Sequence, residues 1–199
     1  FDESLSDISN LKPDIAIIDS KLKFLYSSQL KKLSFVRKKI FIESGENIKT
    51  LPGVFELLKS IENTEIMPIN HVLVMGGATI QDVAGTALAL LKRGTSWTYV
   101  PTTLLSQTDS CIGSKTSING FSSKNMYGLF FSPKNIYIMF DFIKSLPEIE
   151  ILSGIGDAFH YLLLDVNQTY EYAIKILRIL SNNGLKKFVE VPENIYKLS

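Results

Sequence analysis

Short apolar runs alternate along the chain with longer stretches in which apolar residues recur at helical spacing. The runs predict five strands, at residues 14–19, 38–43, 71–75, 97–100 and 135–140. Helices are predicted at 21–32, at 51–60 and after the third strand, where one face would hold Ile80, Val83, Ala84, Ala87 and Leu91. This alternation predicts an α/β fold, with a Rossmann-like parallel sheet covered by helices.

The pattern changes after Pro147, where only helices are predicted, at 147–164, at 168–180 and from residue 192. We therefore expect an α/β domain over residues 1–145 and the beginning of an all-α domain over residues 146–199. The last segment has the pattern of a helix under way, so we expect the second domain to continue past Ser199.

Composition narrows the possible functions only a little. Lys and Arg total 21 against 20 Asp and Glu, so no nucleic acid or membrane partner is expected. A hydrophobic content of 45% provides a real core, but no apolar run approaches the roughly 18 residues of a membrane span. Cys111 is the single cysteine, so no intrachain disulfide can form and a reducing, cytoplasmic location is expected.

Two glycines follow the third predicted strand and open a helix, in the segment MGGATIQD at residues 75–82. Backbone amides can approach a phosphate there, and the amino end of the helix adds partial positive charge. Asp82 could accept a hydrogen bond from a ribose hydroxyl or from an amide donor. The alternative is an ordinary tight turn, and the absence of G-x-G-x-x-G disfavours a typical Rossmann dehydrogenase.

A second candidate site is the polar stretch PTTLLSQTDSCIGSKTSIN at residues 101–119, together with SSKNMYG at 122–128. Two lysines, an aspartate and several small polar residues suit a phosphorylated polyol, because lysines neutralise phosphate and a carboxylate orients hydroxyls. The alternative is a solvent-exposed loop whose lysines are incidental.

These segments belong to a longer ordered series of motifs. The series consists of GGATIQD from Gly76, Arg93-Gly94, PTTLL from Pro101, Asp109-Ser110, Gly113-Ser114-Lys115-Thr116, Ser123-Lys124-Asn125-Met126, Leu146-Pro147, and Asp157 with His160. In their order and spacing they resemble the 3-dehydroquinate synthases, a family of sugar-phosphate cyclases. The resemblance covers about residues 19–164 and implies the first half of such an enzyme, expected to be inactive without the second half.

The resemblance implies that NAD binds in the α/β domain. Asp19 would contact the adenosine ribose, and Glu46 and Lys49 would form a second contacting loop. The other implied cofactor contacts are Gly76, Gly77, Ala78, Thr79, Asp82, Thr102, Thr103, Lys124, Phe142, Lys144, Ser145 and Glu150.

It also implies a sugar-phosphate substrate between the domains, held by Asp109, Lys115 and Asn125. Arg93 matches a residue that reaches the neighbouring subunit of a homodimer, although a solvent-exposed helix end is the alternative. Asp157 matches the carboxylate ligand of a divalent metal, zinc or cobalt, whose two histidine ligands would lie beyond Ser199.

Several residues depart from the family pattern. Gln81 replaces a glycine and is expected beside the pyrophosphate, where it would weaken or shift NAD binding, and Ser114 is tolerated if its φ is negative. Asp157 is one methylene shorter than the family glutamate. His160 replaces a substrate-contacting lysine and is either a new metal ligand or a surface residue, whereas His71 is expected to be structural.

The leading interpretation is a carbon–oxygen lyase, a 3-dehydroquinate synthase of the shikimate pathway. It would convert 3-deoxy-arabino-heptulosonate 7-phosphate to 3-dehydroquinate with loss of phosphate, using NAD transiently and a metal as Lewis acid. The changes at Asp157 and His160 favour an alternative, in which the protein is a family member that cyclises sedoheptulose 7-phosphate or glucose 6-phosphate. A non-catalytic NAD-binding homologue and a related polyol dehydrogenase are further alternatives.

Overall fold

A computed structural model describes residues 7–164 and 170–189. The strands are β1 Ile15–Asp19, β2 Lys38–Ile42, β3 His71–Gly76, β4 Ser96–Pro101, β5 Lys115–Ile118, β6 Tyr127–Phe130 and β7 Asn135–Ile136. Five of them form a sheet in the order β2-β1-β3-β4-β7, in which every pairing is parallel. The other two, β5 and β6, pair antiparallel as a separate two-stranded unit.

Helices connect these strands and follow the last of them. The α-helices are α1 Ser20–Leu25, α2 Ser27–Lys31, α3 Leu51–Glu62, α4 Ala78–Leu90, α5 Glu148–Leu164 and α6 Tyr170–Val189, and residues 7–10 are also helical. Short 3₁₀ turns lie at Leu33–Phe35, Glu46–Ile48, Leu91–Arg93 and Phe140–Ser145, and a π-helical turn spans Ser106–Ser110. None of the helices in the described ranges has the length and apolar character needed to cross a bilayer.

The central strands are buried on both faces because their side chains alternate between two apolar layers. Ile15 and Ile17 pack with residues of α3 and α4. Ala16 and Ile18 pack on the opposite face with residues of α1 and α2. Each fully buried aliphatic side chain of this kind stabilises the fold by about 1.5–3 kcal/mol, so the sheet is a rigid base for the loops at its ends.

A third apolar cluster joins α5 and α6 to the segments that leave the sheet. It contains Leu104 and Ile143 together with Ile151, Ile155 and Ile176. The helical character of the chain after residue 147 is therefore confirmed over the described residues. The division into domains at residues 145 and 146 stays a prediction, since this cluster packs across it.

The predicted parallel α/β fold is confirmed, with local corrections. The helix predicted over 21–32 is wrong as one piece, because Tyr26 leaves helical geometry (φ −130°, ψ 36°) between α1 and α2. The fifth strand ends at Ile136 rather than at residue 140, and α6 runs to Val189 rather than ending at 180. The helix predicted from residue 192 lies outside the described residues.

Candidate functional site

The strand order places a crevice between the carboxyl ends of β1 and β3. The chain leaves β1 toward one edge of the sheet and leaves β3 toward the other, so the loops after these strands diverge. Ligands of open parallel sheets bind at such a switch point. A cavity of ≈ 650 Å³ opens here, between the ends of β1, β3 and β4 and the segment from Phe142 to Glu150. We call it the strand-end cavity.

Asp19 lies at the rim of this cavity, where β1 ends and α1 begins. Its side chain accepts a hydrogen bond from the backbone N–H of Lys21 at 2.9 Å and so caps the helix. The residue lines the cavity although it is only 7% exposed. A carboxylate fixed in this way at a strand end can accept hydrogen bonds from sugar hydroxyls.

The amino end of α4 forms the opposite wall. Gly77 caps this helix without any side-chain hydrogen bond, and Ala78 and Thr79 line the cavity. The first backbone N–H groups of a helix have no intrahelical partner, so they point toward a potential anion. A Cβ on Gly77 would lie 2.9 Å from Cγ2 of Thr103, and one on Gly76 would lie 2.6 Å from Cβ of Ile80. The two glycines are therefore required for close packing of the turn.

The remaining walls come from the segment after β4 and from the turn that leads to α5. Thr102, Thr103, Phe142, Ser145 and Glu150 all line the cavity. Thr102 is held by a hydrogen bond from its backbone N–H to the carbonyl of Gly76 at 3.0 Å. Because these residues come from distant segments, only the fold brings them to one cavity.

Tyr26 fixes the turn at Phe140–Ser145. Its hydroxyl donates to Oγ of Ser145 at 2.7 Å and lies 2.9 Å from the carbonyl oxygen of Asp141. Its ring packs edge-on against Phe142, with centroids 4.8 Å apart. Burial raises the pKa of Tyr26, so the hydroxyl stays protonated and keeps donating.

A second group of predicted residues forms a polar cluster beside α4. The polar cluster comprises Glu46, Lys49, Asp82, Ser117, Asn119, Lys124 and Asn125. Nζ of Lys49 lies 2.6 Å from Oδ2 of Asp82 and 2.6 Å from Oδ1 of Asn125. The other carboxylate oxygen of Asp82 accepts the backbone N–H of Ser117 at 2.8 Å.

Asp82 is thus engaged by protein groups on both oxygens. Burial raises the pKa of Asp82, while the hydrogen bonds from Lys49 and Ser117 oppose that rise. The side chains of Lys49 and Asp82 are only 12% and 16% exposed, so their ion pair is weakly screened by solvent.

Two asparagines connect the rest of the cluster. Asn119 donates from Nδ2 to Glu46 at 2.8 Å and accepts the backbone N–H of Asn125 at 3.0 Å. Asn125 has a φ of 54°, a left-handed conformation that asparagine tolerates better than most residues. Lys124 lies at the edge, 3.9 Å from Glu46 and largely exposed.

The structure does not bring every predicted residue to these two places. Asp109 is half-buried in the π-helical turn, and Lys115 is exposed at the start of β5. Lys144 pairs with Asp141 at 2.8 Å rather than lining the cavity. Arg93 is exposed after α4 with a left-handed φ of 65°.

Among the residues that the structure describes, the predicted metal ligand is not accompanied by others. Asp157 and His160 lie one turn apart on α5 and both are exposed. Over residues 7–164 and 170–189, no group of three or more His, Cys, Asp or Glu side chains could hold a metal ion. The part of the chain described here therefore supplies no complete metal site.

The expected position of Gln81 beside the pyrophosphate is wrong. Gln81 is 2% exposed and does not line the strand-end cavity, because its side chain is hydrogen-bonded to Ser110. Ser114 does not have a positive φ, which is the condition under which a serine is tolerated in place of the family glycine. The polar stretch predicted as a loop instead contains the π-helical turn and the β5–β6 hairpin, whose pairing comes from contacts that local composition does not reveal.

His71 and Cys111 lie outside both groups. The ring nitrogens of His71 lie 3.0 Å from Oγ of Ser96 and 2.8 Å from Oγ1 of Thr98, at the amino ends of β3 and β4. This agrees with the structural role expected for it. Burial raises the pKa of the Cys111 thiol to about 11, so it is protonated at neutral pH.

The fold and the cavity together define a parallel α/β domain with a ligand-sized cavity at the strand ends. The family model of the 3-dehydroquinate synthase N-terminal region matches residues 39–153, more than half of the chain. The chain therefore belongs to the 3-dehydroquinate synthase family.

Curated relatives agree with this assignment. The chain is 32% identical over 160 residues to the 3-dehydroquinate synthase of Alkaliphilus metalliredigens, covering 79% of this chain and 45% of the relative. It is 34% identical over 157 residues to that of Buchnera aphidicola subsp. Cinara cedri, covering 79% of this chain and 41% of the relative. The chain thus spans less than half the length of these two relatives.

Solved structures show the same fold. A 2-epi-5-epi-valiolone synthase from Streptomyces hygroscopicus subsp. jinggangensis, with NAD⁺ and Zn²⁺ bound, superposes with a TM-score of 0.76 at 24% identity, over 92% of this chain and 51% of that one. A 2-deoxy-scyllo-inosose synthase complexed with carbaglucose-6-phosphate, NAD⁺ and Co²⁺ superposes with a TM-score of 0.69 at 22% identity, over 78% of this chain and 46% of that one. An iron-containing alcohol dehydrogenase from Thermotoga maritima superposes with a TM-score of 0.69 at 17% identity, over 98% of this chain and 61% of that one.

Proposed function

We propose that this chain is the NAD-binding part of a 3-dehydroquinate synthase, which converts 3-deoxy-arabino-heptulosonate 7-phosphate to 3-dehydroquinate and phosphate. The observation that carries the proposal is the strand-end cavity, where Asp19 faces the amino end of α4, which has no side-chain cap, in a chain of this family. A carboxylate for ribose and a helix end for pyrophosphate are the two groups that a dinucleotide needs.

The residues present fit NAD. The cavity volume of ≈ 650 Å³ is within the roughly 300–1,000 Å³ of ligand pockets. Its walls combine the apolar residues Leu22, Phe142 and Leu146 with hydroxyls of Thr102 and Thr103. Bound NAD would supply reversible hydride transfer, while the chain orients the dinucleotide and excludes water.

The polar segments supply the groups proposed for the sugar phosphate. Lys115 is exposed and can neutralise phosphate, Asp109 offers carboxylate oxygens to hydroxyls, and Asn125 can donate from Nδ2 because its Oδ1 already accepts from Lys49 and Ser117. Arg93 would extend to a neighbouring subunit's phosphate site in a homodimer. A left-handed φ at an exposed arginine costs about 1–3 kcal/mol, so its backbone conformation is consistent with a fixed role.

The proposed metal rests on the family resemblance alone for this chain. Asp157 would supply one carboxylate oxygen to zinc or cobalt, and the other ligands would come from outside the described residues. The metal would act as a Lewis acid on a substrate oxygen. We also propose that the enzyme is cytoplasmic. We propose further that the boundary between its two domains lies between residues 145 and 146.

One alternative has a specific observation behind it. Asp157 and His160 stand where the resemblance implies glutamate and lysine, and the solved cyclases above bear the names of enzymes with other products. Loss of a lysine suits a substrate without a carboxylate, such as sedoheptulose 7-phosphate or glucose 6-phosphate. A non-catalytic NAD-binding homologue is a further alternative.

Calorimetric titration of the chain with NAD tests the cofactor site. Asp19→Asn should weaken NAD binding about tenfold, since a hydrogen bond to a charged group contributes about 1.5–3 kcal/mol. Asp14→Asn is the matched control, because Asp14 lies before the same strand and accepts the backbone N–H of Asn70 at 2.7 Å, away from the cavity. Absence of NAD binding by the wild type would rule out every enzymatic version of the proposed function.

Phosphate release tests the substrate. The full-length protein should release phosphate from 3-deoxy-arabino-heptulosonate 7-phosphate when NAD and zinc are present. Release only from sedoheptulose 7-phosphate or glucose 6-phosphate would favour the alternative cyclase. NAD binding without release from any of the three would favour the non-catalytic homologue.

A further inference from the structure

Gln81 connects the cofactor side of the site to the substrate side. It is the fourth residue of α4, whose first residues Ala78 and Thr79 line the strand-end cavity. Its amide Nε2 donates to the backbone carbonyl of Ser110 at 2.7 Å, and Oγ of Ser110 donates back to its Oε1 at 2.9 Å. Both polar atoms of the amide are therefore used in a two-point contact with one residue.

Ser110 is the last residue of the π-helical turn Ser106–Ser110, and Asp109 directly precedes it. The turn is closed by hydrogen bonds from the backbone N–H of Cys111 to Ser106 and of Ile112 to Asp109. A helix leaves its last carbonyls without intrahelical partners, so the Ser110 carbonyl needs a donor from elsewhere. Gln81 supplies that donor from a nearly inaccessible position, 2% exposed.

Isolated π-turns are rare and often occur at functional sites, because they re-aim a side chain that a regular helix would direct elsewhere. Here the turn carries Asp109, and other hydrogen bonds hold the turn at Ser106, Gln107 and Thr108. Oγ of Ser106 is bonded to Thr103, and Thr108 donates to the carbonyl of Leu104. The contact with Gln81 ties Ser110, the residue directly after Asp109, to α4.

We propose that Gln81 is a positioning residue that holds Asp109 for the sugar-phosphate substrate. This inference rests on the proposed function for its substrate part. Gln81 does not contact either ligand; it fixes the π-helical turn to the helix whose amino end faces the dinucleotide. Substrate binding should therefore depend on Gln81, whereas NAD binding should not.

Three variants separate this role from simple packing. Gln81→Met keeps the length and volume of the side chain and removes both hydrogen bonds. Ser110→Ala removes one of the two. Gln29→Met is the matched control, because Gln29 lies on α2 and its side chain accepts only from the neighbouring Ser28 among the hydrogen bonds described.

The first measurement needs no ligand: amide hydrogen exchange at Cys111 and Ile112 in this chain. Gln81→Met should speed exchange about tenfold, Ser110→Ala about threefold and Gln29→Met not at all, as expected for two, one and no lost hydrogen bonds. Unchanged exchange in Gln81→Met overturns the proposal whether or not the protein binds any ligand.

The second measurement compares two dissociation constants in the full-length protein. Gln81→Met should weaken binding of 3-deoxy-arabino-heptulosonate 7-phosphate to the NAD-saturated protein about tenfold and change NAD affinity less than twofold. Equal losses for both ligands would mean a structural role only. Full substrate affinity in Gln81→Gly, the family residue, would also overturn the proposal. If the wild type binds neither ligand, the proposed function fails, and the exchange measurement alone decides whether Gln81 holds the turn.

Discussion

The strand-end cavity and the polar cluster lie on either side of the first turns of α4 but are held together by different forces. The cavity is built from backbone and closely packed side chains, as at Gly76 and Gly77. The polar cluster is built from hydrogen bonds and the ion pair between Lys49 and Asp82. The cavity should therefore be sensitive to added volume, and the polar cluster to loss of charge.

This difference follows from what each region borders. The cavity wall continues into the apolar clusters of the sheet, where interiors are close-packed and even one methyl group is felt. The polar cluster joins loops that have little apolar surface to bury, so directional contacts hold it. The following predictions test the contrast, from the largest expected effect to the smallest.

Gly154→Ala should destabilise the fold by about 2–3 kcal/mol, because the added Cβ would lie 2.6 Å from the backbone nitrogen of Leu105 and 2.7 Å from Cβ of Leu104. Since Leu105 lines the cavity, NAD binding should weaken as well. Urea unfolding followed by the fluorescence of Trp97 measures the change. Gly156→Ala, on the same helix with nothing within 4 Å, should instead stabilise by about 0.5–1 kcal/mol. Equal effects of the two substitutions would contradict the close packing of α5 on the cavity wall.

Lys49→Met should cost about 2 kcal/mol of unfolding free energy, because it leaves the carboxylate of Asp82 largely buried without its cation. Lys124→Met is the control, since Lys124 is 78% exposed and should contribute less than about 0.5 kcal/mol. Chemical denaturation at low and high salt checks both. A loss for Lys49→Met no larger than that for Lys124→Met would show that the ion pair does not hold the polar cluster.

Tyr26→Phe should destabilise by about 1 kcal/mol through loss of the hydrogen bond to Ser145 at 2.7 Å, with the ring contact to Phe142 retained. Because Phe142 and Ser145 line the cavity, NAD affinity should fall by a small factor. Thermal unfolding and NAD titration measure the two effects. Tyr127→Phe on the exposed β6 strand should leave both unchanged, and a matching drop there would argue against a specific role for Tyr26.

His71 offers the smallest effect, a pH dependence at the end of the sheet farthest from both regions. Burial and then the charge of Lys134 lower the pKa of His71 below 6.5, so the unfolded chain takes up the proton first. The stability that this residue contributes is present above about pH 6.5 and is lost as the pH falls through its lowered folded value. The difference in unfolding free energy between wild type and His71→Asn should therefore shrink from about pH 7 to pH 5. A difference that grows on acidification would contradict the lowered pKa assigned to His71.

The sequence predicted the sheet well because a strand buried on both faces has a continuous apolar run, as in Ile15–Asp19 and His71–Gly76. It predicted less well where local and long-range contacts compete. Asn135–Ile136 is short because the chain pairs with β4 for two residues and then turns toward Phe140–Ser145. The expectation for Gln81 failed because its spacing places it near the glycine turn, while its amide partner is 29 positions away in sequence.

The sequence by itself determined the α/β class, the family and the glycine turn that opens α4, since these depend on periodicity and on short motifs with fixed local geometry. Only the tertiary structure decided which residues meet. It brought Asp19, Thr102, Phe142 and Glu150 to one cavity and paired Lys49 with Asp82. Strand order and side-chain direction control such contacts, and neither is encoded in the spacing of residues along the chain.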